Sequence, residues 1–271
     1  MIRSPAVAGT FYPESAADLR AQVTSCTIED EKARAERIRA IGVLVPHAGL
    51  IYSGPVAGKV YSRVLIPEVI VLLGPNHTGL GTDVSVFADG IWRMPMGDIA
   101  VESDLARSII GRSPEAREDY GAHRGEHSLE VQIPFLQYFR SDVTIVPIIM
   151  RSTRLETCRA IGRAVAEAVT SYPKSVLLVA SSDMTHFETD RLARDKDRLA
   201  IERVLDLDPE GLHDIVHRER ISMCGFAPTV AMLFAARTLG AAATQWISYA
   251  TSGDVSGDYD RVVGYAGIAI Q

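Results

Sequence analysis

The stretch VIVLLGPNH at residues 69–77 is a continuous apolar run that ends in a glycine-proline pair and continues into a histidine. Residues 41–45 form a second apolar run, which is stopped by a single proline. Residues 176–180 form a third. Runs that are apolar on both faces are typical of strands covered by helices on each side. We therefore expect a sheet buried between two layers of helices.

Residues that can bind a metal ion or transfer a proton follow each of these runs. His47 follows the run at 41–45, and His77 follows the run at 69–73. Asp183 and His186 follow the third run. In α/β proteins the carboxyl ends of parallel strands are where ligands bind. The three segments therefore predict one polar site, built around a metal ion.

Strands and helices alternate along most of the chain, which predicts an α/β fold with a mainly parallel or mixed central sheet flanked by helices. One domain over residues 1–271 is expected. Helices are predicted at 15–38, 53–64, 102–111, 128–139, 155–170, 190–205, 209–218 and 227–239, and further strands at 83–88, 143–149, 244–250 and 262–270. Residues 90–97 are expected to form a turn-rich insertion and residues 112–127 a long exposed loop.

Composition excludes several classes of function. The net charge of −6 gives no basis for binding nucleic acid. No apolar run approaches the ~20 residues that cross a bilayer, and the first residues lack the apolar core of a secretory signal, so no membrane association is expected. Three cysteines are too few and odd in number for a disulfide framework, which favours a cytoplasmic location. The oligomeric state is left open.

Cys224 lies in the segment SMCGFAP at residues 222–228. Gly225 permits a sharp turn, and Pro228 suits the first turn of a helix. A thiol near a helix N-terminus has a lowered pKa and forms thiolate readily, so Cys224 is a candidate metal ligand or nucleophile. The alternative is a small buried residue without a chemical role.

Asp183 and His186 are three residues apart, immediately after a predicted strand. A neutral imidazole ligates metal or acts as a general base, and a carboxylate can orient it. The alternative is that Asp183 or Thr185 caps the following helix and that His186 has no role.

The segment HRGEH at residues 123–127 matches the H-x-x-E-H pattern of inverted zinc peptidases. That chemistry requires both histidines on one face of a helix, and Gly125 disfavours a helix there. His127 alone could point into the strand-end site. If the chain is not a zinc peptidase, replacing His123 is expected to be nearly silent, as most surface substitutions are.

Several uncommon motifs together resemble the Memo family, whose prokaryotic members are called AmmeMemoRadiSam system protein B. The motifs are VAGTFYP at 7–13, VPHAG at 45–49, YSG at 52–54, GPNH at 74–77, EHSLE at 126–130, SSDMTH at 181–186 and CG at 224–225. The family is similar in fold to the class III extradiol dioxygenases, which bind iron(II) through two histidines and a carboxylate. The resemblance therefore implies an extradiol-dioxygenase-like fold.

The resemblance also implies roles for individual residues. His47 and His77 would take the two histidine positions, and Cys224 would stand where the dioxygenases carry the carboxylate. His186 would be the acid–base residue, with Asp183 and His127 beside it. Two imidazoles and a thiolate accept iron(II), copper or zinc, and iron(II) or copper is the primary expectation.

Two main hypotheses for function follow. The chain is a metal-dependent oxidoreductase acting on a small-molecule substrate, or it is a non-enzymatic protein that handles copper or iron or binds a ligand. Animal members of the family are associated with phosphotyrosine peptides, motility signalling and copper-dependent redox chemistry, so an anionic peptide ligand belongs to the second hypothesis.

Overall fold

A computed structural model describes residues 1–28, 31 and 35–271. The strands are β1 (Ile2–Arg3), β2 (Gly42–Val45), β3 (Val69–Pro75), β4 (Val84–Val86), β5 (Ile91–Trp92), β6 (Ile99–Val101), β7 (Ala116–Glu118), β8 (Thr144–Met150), β9 (Val176–Ser181), β10 (His186–Glu188), β11 (Thr244–Thr251) and β12 (Val262–Ile270). The helices are α1 (Ala16–Cys26), α2 (Leu50–Arg63), α3 (Ser103–Arg112), α4 (Ile133–Phe139), α5 (Leu155–Thr170), α6 (Asp190–Leu205), α7 (Pro209–Arg218), α8 (Phe226–Thr238) and α9 (Gly253–Ser256). Among these described residues, no helix has both the length and the apolar character needed to cross a bilayer.

The strands form one mixed sheet in the order β1-β5-β6-β8-β3-β9-β2-β12-β10, with β11 beside β12 and β4 between β8 and β7. Its middle strands, β8, β3, β9 and β2, are parallel to one another. β12 is antiparallel to β2 and carries β11 as an antiparallel neighbour. The predicted α/β fold with a mixed central sheet is confirmed.

Side chains of β3 show why its sequence is apolar throughout. Val71 and Leu73 pack into a core that contains residues of α5 and α8. Ile70 and Leu72 point the opposite way, into a second core with residues of α1, α2 and α4. Successive residues of a strand face opposite sides, so a sheet between two helical layers needs apolar residues at every position.

Several predicted elements differ from the structure. The helix predicted at 15–38 ends at Cys26, because Thr27 has an extended backbone; its second half includes residues 29, 30 and 32–34, which lie outside the described residues. The helix predicted at 128–139 begins with a 3₁₀ turn at Glu130–Gln132 and becomes α-helical only in α4. The insertion predicted at 90–97 contains β5, which pairs with β1 and β6.

The prediction that residues 112–127 form an exposed loop is wrong. This segment contains β7, and the side chains of His123 and Glu126 are buried. Hydrogen bonds to other parts of the chain offset much of the cost of burying these two side chains, although the Nδ1 of His123 has no hydrogen-bond partner among the described residues. No helix spans His123 and His127, so the zinc-peptidase interpretation is also wrong.

His123 is a structural residue rather than a surface one. Its Nε2–H donates to the Ser85 carbonyl at 3.1 Å, and its ring packs edge-on against Phe87 and Trp92. Burial lowers the pKa of His123 to about 3, so the ring is neutral. The expectation that replacing it would be nearly silent therefore does not hold.

Replacing His123 with Ala is expected to lower the free energy of unfolding by about 2–4 kcal/mol, because it opens a cavity beside Phe87 and Trp92 and removes the hydrogen bond to the Ser85 carbonyl. Chemical denaturation followed by circular dichroism measures this loss. Arg124→Ala, at the exposed neighbouring position, serves as the control and should stay within about 0.5 kcal/mol of the parent. Equal losses in both variants would contradict the structural role.

Candidate metal centre

Three parallel strands deliver the polar residues to one edge of the sheet. Val45 of β2 is in register with Ser181 of β9, and β3 runs alongside β9 on its other side. His47, His77 and Asp183 each lie two residues beyond the end of a strand. The structure therefore brings together segments that are far apart in the sequence.

His47, His77 and Cys224 each direct one metal-ligating atom into a shared space, and these three atoms lie within 4.8 Å of one another. The Cys224 Sγ is 3.3 Å from the His47 Nε2. Nitrogen and sulfur ligands of one tetrahedral ion stand about 3.5 Å apart, given metal bonds of about 2.0 and 2.3 Å. The donor set thus fits a metal ion. His47 is buried, whereas 34% of the His77 side chain is exposed, so the group is open on the His77 side.

Cys224 reaches this position because the next residue is a glycine. A Cβ on Gly225 would lie 2.3 Å from the Ser181 carbonyl oxygen, so any other residue would push the segment away from β9. The Gly225 amide donates to Ser182 Oγ at 2.8 Å, and the Asp183 amide donates to Cys224 Sγ at 3.3 Å. These contacts hold the sulfur at the start of α8, beside the end of β9.

The charge on Cys224 differs from the sequence-based expectation. Burial, followed by the negative charge of Asp183, raises the pKa of the Cys224 thiol, and hydrogen bonds to the sulfur only partly oppose this. The prediction of a lowered pKa considered only the nearby helix N-terminus and left out burial, which is the largest influence on this thiol. The thiol is neutral without a cation, and metal binding would release its proton.

Asp183 fixes the loop that carries His47. Its Oδ1 accepts the backbone N–H groups of His47 at 2.7 Å and Ala48 at 3.3 Å. Burial raises the pKa of Asp183, although these hydrogen bonds act in the opposite direction. It caps no helix, since the short strand β10 follows it and α6 begins only at Asp190.

Glu126 orients His77 and was not assigned a role from the sequence. Its carboxylate accepts the backbone N–H of His77 at 2.5 Å and the ring Nδ1–H at 2.9 Å. It also accepts the amides of His127 and Ser128, each at 2.9 Å. Glu126, His77 and His127 also lie close enough together to hold an ion. With four donors on its oxygens, however, Glu126 suits the role of a partner that orients a ligating histidine.

The protonation of the two candidate histidine ligands follows from these neighbours. Burial, followed by the nearby His127 and His77, holds the pKa of His47 well below its usual value, so this imidazole is neutral. Burial alone would lower the pKa of His77, but the hydrogen bond and charge of Glu126 raise it. The Nδ1 of His77 faces a carboxylate, so its Nε2 is the nitrogen available to a metal.

His127 lies inside the same site, although it is not one of the three converging ligands. Its ring is stacked on His77 at 4.7 Å and lies 5.5 Å from His47. The centre of the Phe11 ring also lies 4.7 Å from the centre of the His127 ring. Burial lowers the pKa of His127. It is thus a neutral imidazole next to the candidate metal position.

A buried arginine fixes the segment that carries Glu126 and His127. The Arg3 guanidinium donates to the carbonyls of His123 and Glu126 at 2.7 and 2.6 Å. It also pairs with the buried carboxylate of Glu130 at 2.6 Å. Arg3 of β1 therefore helps to fix the backbone of residues 123–130, next to the site.

His186 lies at the rim of the site and is half-buried. Its Nδ1 lies 2.9 Å from the Ser222 carbonyl, which can only accept, so this nitrogen carries the hydrogen and Nε2 is free. The backbone N–H of His186 also donates to the Ser222 hydroxyl at 2.7 Å, so the residue is held beside the segment that carries Cys224. All six residues singled out from the sequence thus lie in one region.

Comparison with known proteins agrees with this geometry. The family model of Memo-like proteins matches residues 3–269. The chain belongs to the Memo family. It is 42% identical over 282 residues to a MEMO1 family protein of Methanopyrus kandleri, covering 100% of this chain and 99% of that protein. It is 41% identical over 271 residues to one from Methanosarcina mazei, with 100% and 99% coverage.

One solved structure has the same fold at much lower sequence similarity. The crystal structure of the uncharacterized protein JW3007 from Escherichia coli K12 matches with a TM-score of 0.52 and 14% identity. The match covers 85% of this Memo-family chain and all of that chain. At this identity the similarity establishes the fold and carries no information on activity.

Replacing Glu126 with Gln is expected to destabilise the protein most at neutral pH. Burial by itself raises the pKa of Glu126, but the hydrogen bond and charge of His77 and the Ser128 amide bring it to about 2. Because this is below the unfolded value of about 4.5, the carboxylate stabilises the fold above pH ~4.5. That contribution, roughly 3 kcal/mol, is lost as the pH falls towards 2.

The measurement is the difference in unfolding free energy between the parent and Glu126→Gln at pH 7, 4 and 3. We expect the difference to shrink steadily with falling pH. Glu14→Gln, at an exposed position, is the matched control and should show little difference at any pH. A pH-independent loss in Glu126→Gln would refute the argument.

Proposed function

We propose that this Memo-family protein binds one redox-capable metal ion through His47, His77 and Cys224 and uses it in oxidoreductase chemistry on a small molecule. The observation that carries this proposal is the convergence of three ligating atoms within 4.8 Å. The ligands come from the ends of two parallel strands and the start of a helix, which is where α/β enzymes bind their ligands.

The donor set favours iron(II) or copper and also accepts zinc. A thiolate is a soft ligand and imidazole suits iron, copper and zinc alike. Three protein ligands leave a coordination position free, as catalytic sites require. The partly exposed His77 side is where a substrate would reach that position.

The surrounding residues suit proton transfer. A bound iron or copper ion would supply redox and Lewis-acid chemistry at the centre. His186 presents a free Nε2 at the rim, so we assign it the transfer of a proton to or from the substrate. His127 adds a second neutral imidazole beside His77, and Asp183 keeps the His47 loop in place.

The second candidate function is metal handling or ligand binding without turnover. It is favoured by the sulfur of Cys224, which is partly buried beside His47 and would retain a soft ion such as copper(I) more tightly than a carboxylate would. An anionic peptide is the alternative ligand in this case. Under either function we expect no nucleic-acid or membrane partner. We also propose a cytosolic location, since all three cysteines are free thiols.

The first test is metal binding. Loading the tag-free protein with Co²⁺ should give about one equivalent of bound ion and a sulfur-to-metal charge-transfer band in the near ultraviolet. Cys224→Ser should abolish the band and weaken binding at least tenfold, because it removes the thiolate ligand. Cys26→Ser, at the other partly buried cysteine, is the control and should retain both. Failure of the parent protein to bind any Co²⁺, iron(II) or copper(I) would refute the metal centre.

The second test separates an enzyme from a metal-handling protein. Oxygen consumption by the iron- or copper-loaded protein is measured against small aromatic and carbonyl compounds. His186→Gln should lower kcat about 10²- to 10⁴-fold, the usual contribution of a general acid or base, while leaving metal affinity unchanged. His217→Gln, on the exposed surface of α7, is the control. Tight metal binding with no substrate-dependent oxygen consumption would instead favour metal handling.

A further inference from the structure

A chain of buried polar side chains lies directly behind His47. The His47 Nδ1 is 2.9 Å from Ser181 Oγ, and this oxygen is 2.8 Å from the Nε2 of Gln132. The Oε1 of Gln132 in turn lies 2.9 Å from the hydroxyl of Tyr61. All four side chains are shielded from solvent. Such a network is stable only when every donor faces an acceptor, so its hydrogens can be assigned.

The amide of Gln132 has only one possible orientation. Its Nε2 is 2.9 Å from the Pro46 carbonyl, which accepts and cannot donate. Its Oε1 faces the hydroxyl of Tyr61, whose hydrogen has this oxygen as its partner. A flipped amide would bring two oxygens together at Pro46. The second hydrogen on Nε2 must therefore point at Ser181.

The hydrogen bonds of Ser181 then determine which ring nitrogen of His47 carries the hydrogen. A serine hydroxyl has one hydrogen and two lone pairs. The hydrogen goes to the Ser128 carbonyl at 2.7 Å, because a carbonyl only accepts. Gln132 fills one lone pair, so the other can only receive a hydrogen from His47 Nδ1. A neutral His47 must then have its free lone pair on Nε2, which is the atom 3.3 Å from the sulfur of Cys224.

We propose that Ser181 and Gln132 are positioning residues that hold His47 as its Nδ1–H tautomer and thereby present Nε2 to the metal. The tautomer itself is a property of the metal-free protein. Its consequence for metal affinity rests on the proposed function. Without Gln132, only the Ser128 carbonyl still orients the Ser181 hydroxyl. Part of the population can then donate to Nδ1, which shifts the ring hydrogen to Nε2 and blocks the ligating atom.

Three variants, each at a buried position, test the proposal. Gln132→Met removes the donor to Ser181 while keeping the shape of the side chain, and Ser181→Ala removes the acceptor for Nδ1–H. Tyr61→Phe is the matched control, because it removes a hydrogen bond from the same network but leaves the Pro46 and Ser181 contacts intact. Thermal unfolding verifies that each variant is folded.

The first readout is the histidine tautomer in the metal-free protein, identified by long-range ¹⁵N–¹H correlation spectra. Parent and Tyr61→Phe should show His47 protonated at Nδ1, whereas Gln132→Met and Ser181→Ala should show signal for the Nε2–H form. A His47 protonated at Nε2 in the parent would overturn the proposal. So would an unchanged Nδ1–H form in both Gln132→Met and Ser181→Ala. If one of these variants does not fold, the other carries the comparison.

The second readout is affinity for Zn²⁺, which is diamagnetic and also reveals the ligating nitrogen through its ¹⁵N shift. Gln132→Met and Ser181→Ala should bind Zn²⁺ about 10- to 100-fold more weakly, the usual effect of losing a residue that orients a ligand. Tyr61→Phe should bind as the parent does. Equal weakening in all three variants would count against a positioning role. If the parent binds no metal but shows the Nδ1–H tautomer, the proposed function fails while the assignment of the network stands.

Discussion

The hydrogen bond from the His47 amide to the Asp183 carboxylate, 2.7 Å long and buried, is the contact on which the candidate centre depends. It joins the loop after β2 to the segment after β9. The amide of Asp183 itself donates to the sulfur of Cys224, so one residue sets the relative positions of all three segments. Parallel strands alone would bring these segments to the same edge of the sheet, but they would not fix the ligating atoms.

Burying that carboxylate is tolerated only because its neighbours donate to it. An unpaired carboxylate away from water is costly, and two backbone N–H groups offset much of that cost. Glu126 follows the same rule on the other side of the site, with four donors around its two oxygens. Both acidic residues thus hold in place the segments that carry His47, His77 and His127. The candidate metal-ligating atoms themselves are nitrogen and sulfur.

Much of the fold and part of the site could be predicted from the sequence. The apolar runs at 41–45 and 69–73 predicted buried strands because a two-sided core leaves no polar position, and the residues just beyond them then had to meet at one edge. His47 and His77 were found in this way. The position of Cys224 was harder to predict, because it is 177 residues from His47 and no local spacing connects the two. Its place followed from the family resemblance.

What the sequence could not supply were the partners of buried polar groups. Residues 112–127 were predicted to be exposed because they are polar, yet His123 and Glu126 are buried with hydrogen-bond partners from distant segments. Composition cannot distinguish a solvated polar residue from one satisfied by a carbonyl far along the chain. For the same reason, the sequence did not reveal that Ser181 and Gln132 lie behind His47. The same reason also explains why the pKa of Cys224 was predicted to be lowered, since the burial that raises it cannot be read from the sequence.

The ion pair between Arg3 and Glu130 joins residues 127 positions apart, and this has a consequence for the order of events during synthesis. Arg3 leaves the ribosome long before its partner has been translated, so the guanidinium stays hydrated on the nascent chain. The contacts of Arg3 with residues 123–130 form only after Glu130 emerges. Cys224 is translated almost a hundred residues later still. The three candidate ligand atoms can therefore come together only in a nearly finished polypeptide.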